Sequence, residues 1–115
     1  DAKNLDIITL FYNYHDISFM DVDRAAMDKI VFAALKPGGI LLIADHSAAA
    51  GTGTSVAKTL HRIDEATVKQ ELEAAGFKLV ATADYLRNPE DKRDTLIFRS
   101  PVPVDAFVHK YQKPL

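Results

Sequence analysis

The chain's 115 residues are enough for one domain with a modest core, and a composition 48% hydrophobic and 26% charged is that of a globular chain, not a disordered one. A net charge of −2, with the basic residues scattered, argues against nucleic-acid binding; zero cysteines exclude disulfides and thiolate chemistry. No apolar run approaches the roughly 20 residues that span a bilayer, so no membrane segment is expected.

The opening Asp1-Ala2-Lys3-Asn4 is not a signal peptide and reads as a start cut from something longer. The compartment is left open: cytoplasm by default, bacterial periplasm if a parent chain carries a signal. Leu5 to Tyr12 is an apolar, β-branched and aromatic run, predicting a strand buried on both faces as in a parallel sheet. Asn13-Tyr14-His15-Asp16 closes it. Asp21 or Asp23 can cap a helix running to about Leu35, and Lys36-Pro37-Gly38-Gly39 ends that helix with a glycine cap.

Ile40 to Ala44 is a second apolar strand, running into Asp45-His46-Ser47 and a small-residue loop over 48–55. A short helix is expected from Val56 to Leu60. Asp64 caps the next helix, with Val68, Leu72 and Ala75 at helical spacing, and Gly76 stops it. Phe77 to Leu86 predicts a third strand, Arg87 to Asp94 a solvated loop, and Thr95 to Arg99 a fourth strand pairing antiparallel with the third. Pro101 and Pro103 then set off an amphipathic tail, so residues 1–103 form the expected α/β domain and 104–115 its tail. Both long helices fall on one face of the sheet. The other face is left to the tail or to a partner.

Ala34-Leu35-Lys36-Pro37-Gly38-Gly39-Ile40-Leu41 resembles the helix-to-strand junction of class I S-adenosylmethionine-dependent methyltransferases, and Glu73-Ala74-Ala75-Gly76-Phe77 resembles the end of their next helix. The strand, helix, strand, helix, strand, strand order is similar to the carboxyl-terminal half of that Rossmann-like fold, whose reversed last strand slots between two others. The resemblance implies a small-molecule methyltransferase using S-adenosylmethionine. The family's glycine-rich loop and ribose-binding acidic residue have no counterpart here. Gly51-Thr52-Gly53 lacks the third glycine of a dinucleotide fingerprint and reads better as an active-site lid.

Open α/β sheets place ligands at the carboxyl ends of their strands. The first two strands end in histidines and carboxylates, so His15, Asp16, Asp45 and His46 are the catalytic candidates, a histidine taking the acceptor's proton and a carboxylate orienting it. By resemblance, Asn13 and Tyr14 line the cofactor cleft. His61 and Arg62 are candidates for a substrate's anionic group. No metal is assigned, because His15-Asp16 and Asp45-His46 are adjacent pairs and neighbours on a strand end point apart. An ester or lactone hydrolase using His46 and Ser47 is the second reading, and a non-catalytic assembly module the third. Under each, the apolar first strand lies at a sheet edge and predicts a homodimer joined there or through the uncovered face.

Overall fold

The computed structural model describes residues 2–115. In chain order it holds β1 (Leu5–Phe11), α1 (Tyr14–Ser18), α2 (Arg24–Ala34), β2 (Leu35–His46), α3 (Ala57–Leu60), α4 (Glu65–Ala74), β3 (Lys78–Ala83), a 3-10 turn (Ile97–Arg99) and β4 (Ala106–Gln112). The four strands form one sheet in the order β1-β2-β4-β3. β1 runs parallel to β2, while β4 is antiparallel to both β2 and β3. Three parallel strands with a reversed one slotted between the second and third is the arrangement that the resemblance implied. No helix among the described residues is long and apolar enough to cross a membrane.

The helices form where their caps direct them. Asp23 accepts from the Ala26 N–H and Asp64 from the Ala66 N–H, so each side chain satisfies an amide that the first helical turn leaves free. Asp23 is therefore the cap of α2, not Asp21. Both helices pack on the same side of the sheet. There Leu41 and Ile43 of β2, Phe107 and Tyr111 of β4, and Val68 and Leu72 of α4 close the core. Phe32 meets Phe77 edge-on at 5.1 Å between centroids. Gly76 adopts a φ of +110°, and a Cβ there would stand 3.0 Å from the Phe32 ring, so glycine is required twice over.

Four expectations about local structure are corrected. First, the reversed strand is not Thr95–Arg99 but β4, in the segment read as a tail. Its alternation places Phe107, His109 and Tyr111 inward, and the prolines before it only end the preceding loop. Second, α2 is not capped by glycine: Leu35 closes it in extended geometry and already pairs with Leu5. Gly38, at φ +82°, instead turns its N–H to the Lys113 carbonyl at 2.8 Å. Third, the 87–94 loop is not wholly solvated, since Asp91 is buried against Arg62. Fourth, β1 is packed on one face only. Ile8 and Leu10 join the core, whereas Ile7 and Phe11 are each 52% exposed.

The last point follows from β4. With the carboxyl-terminal segment inside the sheet, the second face, where Ile7 and Ile40, Thr9 and Leu42, and Phe11 and Ala44 stand side by side in register, leaves Ile7 and Phe11 exposed.

Candidate functional site

β1 and β2 are neighbours and parallel, so their carboxyl ends open on one side. The Tyr12 N–H continues the ladder to the Ala44 carbonyl at 2.8 Å, and then the chain breaks sharply at Tyr12, with φ 60°. The helical turn α1 follows at once. Successive helical residues point about 100° apart, and that rotation separates two neighbours. Tyr14 is turned into the core between α2 and α4, and His15 is turned toward the end of β2.

Asp45 organises the site. It is 0% exposed, at the last inward position of β2. One of its oxygens, Oδ2, accepts the His15 backbone N–H at 2.8 Å. The other, Oδ1, accepts the His46 N–H at 2.8 Å and lies 2.6 Å from His15 Nδ1. A carboxylate buried this deeply needs such donors. Because Asp45 only accepts, Nδ1 of His15 carries the hydrogen, which leaves Nε2 for a partner on the other side of the ring. That Nε2 lies 3.2 Å from Asp16 Oδ1. Burial opposes a charge on His15, but the hydrogen bond to Asp45 and the charges of Asp45 and Asp16 outweigh it and raise its pKa above the ordinary value.

His61 joins from a third element. Ile63 pairs with Ser47 beyond the end of β2, its N–H donating to the His46 carbonyl at 2.9 Å, and this brings the residues after α3 alongside. His61 takes a left-handed backbone, φ 56°. Its Nδ1 lies 3.6 Å from Asp16 Oδ1, and its ring stands edge-on to that of His15 at 5.5 Å. His46 stacks on Tyr12 at 4.6 Å, with Nδ1 buried and unpartnered, and burial lowers its pKa.

Of the candidates named from sequence, the structure thus gathers His15, Asp16, Asp45, His46 and His61. Two others go elsewhere. Tyr14 is fully buried, its hydroxyl 2.8 Å from both Asp28 Oδ2 and Glu71 Oε1, so it does not line a cleft. Arg62 is fully buried as well, held by Asp91, Thr95 and the Ser47 carbonyl, and anchors the long loop instead of meeting a substrate. Asn13 is exposed beside the site. Tyr12, which sequence alone assigns to the core or a sheet face, is instead half-exposed and stacked on His46; its place as the last residue of the β1 run is the signal that pointed to the site.

The hydrolase reading loses its nucleophile. Ser47 is buried, and its Oγ accepts from Arg87 at 3.3 Å, with no histidine bonded to it among the described residues. The 51–53 segment is neither a phosphate cradle nor a free lid, because the N–H groups of Gly51 and Gly53 both donate to Asp64 Oδ2, at 2.9 and 3.4 Å. The divergence expected of adjacent residues also fails at His15-Asp16, which sit on a helical turn and not on a strand.

The sheet order and the strand-end site define a Rossmann-like α/β fold of the class I S-adenosylmethionine-dependent methyltransferase type. Comparison with solved structures bears this out. The chain superposes over its whole length on the cyclase SpnF (TM-score 0.62, 14% identity) and on the N-methyltransferase NodS from Bradyrhizobium japonicum (0.63, 15%). It is covered at 99% by an S-adenosylmethionine-dependent methyltransferase from Methanosarcina mazei (0.64, 14%). The chain spans 52%, 54% and 61% of the lengths of these three proteins. No family model matches the chain, and neither does any curated protein.

S-adenosylmethionine, which the fold implies, finds no nucleoside cradle among the described residues. Tyr14 is turned away, and the amides of the glycine-containing loop are taken by Asp64. The described residues do not fit the nucleoside end.

Proposed function

We propose that this chain forms the acceptor side of a small-molecule methyltransferase, and that the carboxyl ends of β1 and β2 face the reacting atoms. The observation that supports this best is the Asp45–His15–Asp16 line: a fully buried carboxylate fixes one ring nitrogen, and the other is left at a half-exposed carboxylate. An acceptor hydroxyl or amine placed there loses its proton to the His15–Asp16 pair, with Asp45 holding the ring in the tautomer that can receive it. His46 packs beside Tyr12 and shapes the wall. The nucleoside contacts come from residues outside those described. A second copy covers the apolar edge strand and the open face, since an unpaired strand with exposed Ile7 and Phe11 favours pairing with another chain.

The test is transfer of labelled methyl from S-adenosylmethionine to a panel of small hydroxyl- and amine-bearing acceptors. With the residues that hold the nucleoside supplied alongside the chain, transfer is expected, and His15→Gln or Asp45→Asn should cut it about 10²–10⁴-fold without unfolding the chain. Equal transfer by the wild type and both variants would remove this site from the reaction. SpnF, a cyclase of the same fold, shows that the fold alone does not choose the chemistry.

A further inference from the structure

Three groups converge at the mouth of the site: His15 Nε2, Asp16 Oδ1 and His61 Nδ1. The two histidine nitrogens stand 3.2 and 3.6 Å from the same carboxylate oxygen, and one donor atom from each of the three residues lies within 4.8 Å of the other two. A tetrahedral zinc site with bonds of about 2.0–2.1 Å sets neighbouring donor atoms about 3.3–3.4 Å apart. The two distances in this cluster bracket that edge.

The surroundings are those of a prepared ligand set. His15 already gives its other ring nitrogen to a buried carboxylate, Asp45 Oδ1 at 2.6 Å, the outer partner that orients metal-bound histidines. With one ring hydrogen committed to Asp45, His15 turns Nε2 to the Asp16 carboxylate oxygen, and His61 turns Nδ1 to the same oxygen from the other side. Without a metal these short contacts are bridged by protons, which a divalent cation displaces when it gathers all three donors. His61 is held there by a left-handed backbone uncommon for a residue with a Cβ, and its ring packs between Phe19 at 6.3 Å and Phe98 at 5.9 Å. The side chains of Asp16 and His61 remain 46% and 31% exposed, so a fourth position opens to solvent.

We propose that His15, Asp16 and His61 bind a divalent zinc ion, with Asp45 as the outer partner of His15 and the fourth position open. The neighbouring trio of His15, Asp45 and His46 is not the site. Both oxygens of Asp45 are already engaged by His15 and His46, and its side chain is completely enclosed. Zinc takes the place of a proton on His15 Nε2, so the proposal deepens the acceptor-side reading. It rests on that reading only for what occupies the fourth position, while metal binding is measured without any methyl transfer.

The experiment is calorimetric titration of the chelator-stripped chain with Zn2+ near neutral pH, with Co2+ absorption as a report of four-coordinate geometry. One equivalent is expected to bind. Asp45→Asn should weaken binding about 10–100-fold. Asp16→Asn and His61→Asn should weaken it more than that, asparagine being chosen in place of His61 because it tolerates the left-handed backbone. His46→Gln should leave the affinity unchanged. In the wild-type chain, imidazole nitrogen resonances of His15 and His61 should shift on zinc addition while those of His109, which is tied to Glu65 at 2.6 Å, stay in place. This readout stands even if a variant fails to fold. No saturable binding, binding that survives His61→Asn, or shifts confined to His46 and His109 would overturn the proposal, whether or not methyl transfer is found.

Discussion

Asp28 in α2 is predicted to cost the folded chain stability at neutral pH. It is 1% exposed, its Oδ1 has no partner, and its Oδ2 lies 2.8 Å from the Tyr14 hydroxyl. That hydroxyl is equally close to Glu71, which Arg24 also grips with two hydrogen bonds, at 2.9 and 2.8 Å. Tyr14 has one proton for two carboxylates. Glu71 has the arginine and keeps its charge, so the arrangement closes best when Asp28 is protonated and donates to the Tyr14 oxygen. Burial, with the charge of Glu71 adding to it against the Tyr14 hydrogen bond, accordingly pushes the Asp28 carboxyl up from 3.8 to about 6. A group whose folded pKa is raised lends its stability fully below the unfolded value, and loses it as pH climbs through the folded one. The difference of about 2 pH units corresponds to at most about 3 kcal/mol lost by pH 7. An asparagine side chain in this place, the neutral counterpart of the carboxylate, can donate to Tyr14 at every pH. Asp28→Asn should therefore raise the melting temperature at pH 7 by on the order of 5–10 °C and leave it nearly unchanged at pH 4. Melting curves of both proteins from pH 4 to 7 measure this. A variant less stable at pH 7, or an offset that is the same at all pH values, would refute the protonated-Asp28 argument.

Three further outcomes follow from the same kind of reasoning. Arg62→Met strips its paired cation from the buried Asp91 and should destabilise the chain by about 3–5 kcal/mol in denaturant titration, with much of the loss recovered when Asp91→Asn is added. The Glu65 carboxyl is drawn down to about 2, chiefly by the hydrogen bond of His109 and then by Arg87 against its own burial. A depressed folded pKa means that its contribution is complete above 4.5 and lost as pH falls through 2; Glu65→Gln should therefore flatten the acid limb of stability by about 1–2 kcal/mol after solvent screening. At micromolar concentration the chain should be a dimer by light scattering, and Phe11→Lys on the open face of the edge strand should shift it toward monomer. A stable wild-type monomer would contradict the predicted pairing.

What could be read in advance was what depends on near neighbours in sequence. The apolar runs at 5–12 and 40–44, the caps at Asp23 and Asp64, and the polar strand ends bearing His15, Asp16, Asp45 and His46 are local signals, and the parallel pairing of β1 with β2 follows from the helix between them. The readings that failed concern where a residue is sent by partners far along the chain. Arg62 carries a surface residue's charge but finds Asp91, 29 positions later. Tyr14 and His15 differ by one residue, and only the helical turn after Tyr12 decides which enters the core. β4 was hidden because its inward positions include His109, whose burial is made tolerable by Glu65, 44 positions earlier.

The central claim, that the ends of β1 and β2 are the reaction-facing rim, is tested most directly by titrating the isotope-labelled chain with S-adenosylmethionine and following backbone amide resonances. The account predicts shifts confined to Tyr12 through Asp16, Asp45 through Ser47, and His61. Shifts centred instead on Glu65, Arg93 and His109, or none at millimolar ligand, would contradict it.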